Sequence, residues 1–292
     1  MDNWLLILFS ALLPAIVLVG YVYLLDKNQR EPLPWMLKAV GYGVLCAVPA
    51  VFIESLLPSA EETTVSAALY RGFIVAAVSE ESMKLLFLWL FLRKNPYFDE
   101  RMDCIVYAVC VGMGFAALEN VAYLFSAQES WGTVAVARAT MAVPGHFFFA
   151  VFMGYFMSLA IWGKPEKRRL NWVLTLLVPI ILHGIYDASL MSMPVSVPVL
   201  ALALLIFVAL GVYVWVDGHR RILRARARDK RRMPRRNPLK TGNSVMAKAN
   251  GKRPPQAKTS PEIDKEKRLA IAELLDILVA RPHPSEYGNS FK

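Results

Sequence analysis

In the stretch AAVSEESMKLLFLWLFL, residues 76–92, Glu80, Glu81 and Lys84 interrupt an almost unbroken apolar run. On a helix, Glu80 and Lys84 are four residues apart and Glu81 and Lys84 three, so either acid reaches the amine. The two acids project about 100° apart. The expectation is therefore that Glu81 pairs with Lys84 while Glu80 faces a cavity. Isolated polar groups recur downstream: Glu119 in GFAALEN, His146 in VPGHFFFAVF, and His183 with Asp187 in HGIYD. His183 and Asp187 share a helix face. Phe115 and Glu119 share another, with Gly112 and Gly114 allowing a neighbouring helix to approach closely.

Two carboxylates and two imidazoles can hydrolyse a peptide bond. Such a reaction needs a base for water, donors for the developing oxyanion and an acid for the leaving amine. Glu80 fits the base, and the imidazoles can position water or donate to the oxyanion. A second form of the same chemistry uses zinc, held by His146, His183 and either Glu80 or Asp187, with one position left for water. The residues alone leave both forms open, with zinc or with no cofactor. A serine nucleophile is disfavoured, because Ser79 and Ser82 lie on other faces from Glu80. Each group also has a structural reading: an intramembrane Glu81–Lys84 pair, a His146 bridge between helices, a Glu119–Arg138 pair. Glu54 and Arg71 are expected near the outer interface without a special role. The aromatic residues of GHFFFAVF are expected to pack or to face lipid.

The elements that position these residues are membrane helices. The chain of 292 residues is 56% hydrophobic with mean hydropathy +0.40. Seven stretches approach the ~20 apolar residues a span requires: 4–25, 35–57, 67–92, 104–126, 134–162, 171–192 and 197–217. Their length and lack of alternation exclude strands and a lipid barrel. The predicted fold is all-α, a polytopic membrane protein of about seven transmembrane helices. At about 1.5 Å per residue, Glu80, Glu119, His146, His183 and Asp187 fall about 18–24 Å into their spans, in one slab near mid-membrane. A charge there costs roughly 2.5–3.5 kcal/mol on translocon scales, so each needs a partner or a task. The first segment begins MDNW without Lys or Arg and is read as a retained helix, not a signal peptide.

Basic loops around Lys27 and Arg30, around Arg93, Lys94 and Arg101, and around Lys164, Lys167, Arg168 and Arg169 alternate with loops nearly free of Lys and Arg. The positive-inside rule then puts the N-terminus outside and the C-terminal tail in the cytosol. Residues 219–292 hold 20 of the 33 Lys and Arg but only 7 of the 23 Asp and Glu. That basicity predicts contact with anionic lipid headgroups, not with nucleic acid. Three regions follow: a membrane domain over 1–217, a basic disordered linker over 218–260, and a short amphipathic helix with tail over 261–292. Cys46, Cys104 and Cys110 lie in predicted spans and give neither a disulfide framework nor metal spacing.

SEESMK, GFAALEN, the run RATMAVPGH from Arg138 to His146, and HGIYD match in order the four motifs of the PrsW family of intramembrane proteases. The sequence is identified as a member of that family, within the wider group of type II CAAX prenyl endopeptidases and bacterial CPBP/ABI proteins. The resemblance implies a peptidase of a bacterial-type cytoplasmic membrane acting on membrane-associated proteins, with site-1 cleavage of an anti-sigma factor as the associated role. It assigns catalysis to Glu80, His146, His183 and Asp187, with Glu81, Lys84, Glu119 and Arg138 in support. In the related endopeptidases the position of Asp187 usually holds Asn, an amide donor that an ionised Asp cannot replace. Orienting His183, or ligating a metal, is then open to Asp187. Two other functions compete: a proton-coupled transporter, which also uses mid-membrane Glu, His and Asp, and a non-catalytic scaffold. The halves show no internal repeat of the kind transporters carry.

Overall fold

The computed structural model describes residues 4–27, 29–60 and 62–232. It is helical throughout, with no strand among the described residues: α1 Trp4–Leu25, α2 Leu33–Leu56, α3 Val65–Leu69, α4 Ser79–Leu92, α5 Arg101–Ser126, α6 Trp131–Ala137, α7 Val143–Trp162, α8 Arg168–Ser192 and α9 Val197–Arg232. The amphipathic helix expected within 261–292 lies outside these residues.

Among the described residues, six stretches are long and apolar enough to cross a membrane. The seventh expected span, 67–92, is one continuous helical run from Val65 to Leu92 that carries Arg71, Glu80, Glu81 and Lys84. This is an integral membrane protein. The last helix differs from expectation. α9 continues to Arg232, well past the expected end at 217, so the segment from 218 begins as helix and not as disordered linker. Ile222 and Ala225 are fully buried and the Asp229 carboxylate accepts from backbone N–H groups of α5, which fixes the extension against the bundle.

α5 and α7 form the centre. Of their most apolar stretches 78% and 89% of residues are buried, against 17% in α1 and in α9. Exposed apolar side chains on α1, α2 and α9, such as Phe9, Phe52 and Trp215, suit contact with acyl chains. Small residues let the central helices touch. A Cβ on Gly43 would overlap the Val111 carbonyl and one on Gly114 the Val40 carbonyl, so α2 and α5 cross backbone to backbone. Gly154 of α7 meets the Cys104 backbone of α5 in the same way. α5 starts at a capping box in which Glu100 and Asp103 accept each other's backbone N–H.

Two helical runs contain π-helical turns, Tyr70–Val78 and Arg138–Ala142. The first ends at Val78, two residues before Glu80, and the second ends four residues before His146. Such turns concentrate where a side chain must be re-aimed. At the second, Pro144 has no N–H to donate into the preceding turn. The first contains no proline.

Candidate active site

Glu80 and Glu81 open α4, Glu119 lies late in α5, Arg138 sits in the second π turn, His146 is in the first turns of α7, and His183 and Asp187 are on α8. All seven, with Lys84, form one connected network. The Lys84 ammonium donates to Glu80 Oε2 at 2.9 Å and to Glu81 Oε1 at 2.8 Å. Its third donor meets Nδ1 of His146 at 3.1 Å. The expected Glu81–Lys84 pair is present, and Glu80 shares the same ammonium instead of facing a cavity alone. Convergence is possible because a four-residue and a three-residue spacing both return to one face.

An ammonium has donors only, so Nδ1 of His146 is the acceptor and its proton resides on Nε2. That Nε2–H donates to Glu119 Oε2 at 2.9 Å. Arg138 holds Glu119 in turn, through Nη2 at 2.6 Å, and reaches Asn120 Oδ1 through Nε at 2.5 Å. Asn120 closes the chain by donating to the Ala11 carbonyl of α1 at 3.1 Å. Hence the Glu119–Arg138 pair is also the support for one face of His146.

His183 also has a carboxylate behind it, but both of its ring nitrogens face carboxylate oxygens. Nε2 lies 3.2 Å from Asp187 Oδ2 and Nδ1 lies 2.9 Å from Glu81 Oε1. Its ring stacks on Phe149 at 5.0 Å between centroids and stands perpendicular to His146 at 5.3 Å. Phe147, Phe148 and Phe149 are all buried, so this aromatic run packs inside the protein. Phe149 was not a candidate in the sequence. The signal for it is its i,i+3 spacing from His146, which puts both rings on one face of α7.

Donor atoms of Glu80, Glu81, His146 and His183 lie within 4.8 Å of one another. Each imidazole has its own carboxylate behind it, Glu119 or Asp187, the arrangement that fixes ring tautomer and orientation in metal centres. A mixed set of two imidazoles and two carboxylates suits zinc. Glu80 and Glu81 both lie in this group with the two histidines, and Asp187 stands behind His183. Burial grades outward: the side chain of Glu81 is 0% exposed and that of Glu80 8%, whereas Glu119 and Asp187 are 21% and 19% exposed. Glu54 of α2 has a buried Oε1 without a hydrogen-bond partner and lies within electrostatic reach of Glu80, Glu119, Lys84 and His183. It borders the site rather than only the outer interface.

Apolar helices enclosing a buried set of carboxylates and imidazoles are the arrangement of an intramembrane hydrolase. Comparison with known proteins gives the particular family. Residues 31–215 match the PrsW family of intramembrane metalloproteases. The chain is 36% identical to a protease PrsW of Geobacillus kaustophilus, across 61% of this chain and 77% of the relative. It is 31% identical to a protease PrsW of Bacillus subtilis, across 76% of this chain and 96% of the relative. No solved structure matches the chain. The protein belongs to the PrsW family and is an intramembrane protease.

Proposed function

We propose that the protein hydrolyses peptide bonds of membrane-associated protein substrates, with Glu80 activating the water and a zinc ion held by His146, His183 and Glu81. The observation that carries this reading is the approach of four donor groups to within 4.8 Å, with a separate carboxylate behind each imidazole. Zinc, when bound, polarises the scissile carbonyl and acidifies water.

The side chains supply the rest. Glu80 takes the proton of the attacking water and passes it to the leaving amine, because it is the less buried of the two acids on α4. Glu119, clamped by Arg138, keeps the His146 proton on Nε2 and Nδ1 aimed inward. Asp187 does the same for His183 through Nε2. The network opens on the side of Glu119 and Asp187, its most exposed carboxylates, and substrate enters there. An anti-sigma factor cleaved at a first site is the substrate class the family resemblance implies. The basic loops and the tail face the cytosol, and the tail contacts anionic headgroups.

The test compares membranes carrying wild-type protein with membranes carrying Glu80→Gln at matched expression, cataloguing new protein N-termini by mass spectrometry. Gln keeps shape and hydrogen bonding but cannot act as a base. Cleavage products should fall by about 10²–10⁴-fold. Matching catalogues from two folded proteins would remove Glu80 from catalysis.

A further inference from the structure

The Lys84 ammonium stands among the very donors that would hold a metal. It is 2.9 Å from Glu80, 2.8 Å from Glu81 and 3.1 Å from Nδ1 of His146, three of the four groups that lie within 4.8 Å of one another. Two cations cannot share that position. In that same position the ammonium already lies over the face of Phe115, with the ring centroid 4.2 Å from Nζ. An aromatic face attracts a desolvated cation. Lysine, on four flexible methylenes, can swing out of the donor set.

We propose that Lys84 is a resident cation that keeps the donor set assembled without metal and yields to zinc by swinging its ammonium out of that set. This rests on the metal-assisted reading above and adds how that site is loaded. Without a counter-cation, Glu80 and Glu81 would repel each other in a buried site, and removing one partner of such a pair is strongly destabilising. The charge inventory supports exchange over simple replacement. With both imidazoles neutral as metal ligands, ionised Glu80, Glu81, Glu119 and Asp187 face two fixed cations, Lys84 and Arg138. A divalent ion brings the network to neutrality with Lys84 retained nearby.

The experiment measures zinc affinity of the full chain in lipid nanodiscs, by competition with a chromophoric chelator, for wild type, Lys84→Met and His183→Ala. Expected is one zinc per chain, bound at least tenfold more tightly by Lys84→Met than by wild type and lost in His183→Ala. Zinc should also raise the melting temperature of Lys84→Met more than that of wild type, since the variant lacks its internal cation. If Lys84→Met does not fold, Lys84→Gln, which retains an N–H donor for the carboxylates, carries the same comparison. Equal or weaker zinc binding by the folded Lys84 variant overturns the exchange while leaving a metal centre in place. Absence of zinc binding in every form overturns the metal reading and the exchange with it.

Discussion

The two ends of α5 each gather buried carboxylates, and they neutralise them differently. Toward its C-terminal end, Glu119 meets the guanidinium of Arg138 and the Nε2–H of His146, while Glu80 and Glu81 share the Lys84 ammonium. At its start, Asp26, Glu31, Asp103 and Asp229 are at most 4% exposed. There the partners are mostly backbone N–H groups and neutral donors. Asp103 accepts from Asp99 and Glu100, Asp229 from Arg101 and Met102, and Glu31 from the Tyr107 hydroxyl. The Arg101 guanidinium donates to the carbonyls of Ser158 and Trp162 at the end of α7. Carboxylates facing movable cations and imidazoles can exchange protons and metals. Those satisfied by a helix N-terminus fix helices in place.

The largest effect that separates the two ends is expected at Glu119. Glu119→Ala removes the carboxylate behind His146, and loss of such support typically costs 10–100-fold in metal affinity or activity. Proteolysis and zinc affinity should both fall by about that factor, while Arg138 keeps Asn120 and the amount of folded protein holds. Unchanged zinc affinity in folded Glu119→Ala would mean that Glu119 is only a helix clamp, like its counterparts at the other end.

These two carboxylate groups also differed in how far the sequence disclosed them. Glu80, Glu119, His146, His183 and Asp187 are isolated ionisable groups in apolar runs, and their depths agreed, so their convergence could be anticipated from spacing alone. The spacing put either acid within reach of Lys84, but that one ammonium takes both at once, together with His146, depends on how the side chains pack. The π turn over Tyr70–Val78 has no proline to announce it. The group at the start of α5 was hidden for a different reason: Asp26, Glu31 and Glu100 lie in segments that read as ordinary polar loops. Burial there comes from α9 running on past 217, where its charge pattern resembles a solvated tail.

A smaller effect should come from Asp229. Asp229→Ala deprives two N–H groups at the start of α5 of their acceptor, and capping losses of this kind run about 0.5–2 kcal/mol. Thermal melting in detergent should show a lower midpoint, with zinc affinity unchanged because the site lies at the other end of α5. A change in zinc affinity would couple the two ends and break the distinction between them.

A further way to separate the two ends is a pH slope confined to the loop carboxyls. Burial pushes Asp26 up to about 7, with the nearby Asp229 carboxylate adding to the shift. Burial also raises Glu31 and takes Glu100 up to about 8. A carboxyl raised in the folded state keeps its proton where the unfolded chain has released it, so the folded form binds more protons between the two values. The stabilisation is therefore complete below the unfolded value, near 4, and is lost as pH rises through about 7. Each such carboxyl contributes a slope of about 1.4 kcal/mol per pH unit inside that window. Melting midpoints measured from pH 5 to pH 8 should decline, and Asp26→Asn, which cannot ionise, should flatten the decline below pH 7 relative to wild type. If the variant and wild type fall in parallel, Asp26 is ionised in the folded protein. The start of α5 would then rest on charge pairing, as the other end does.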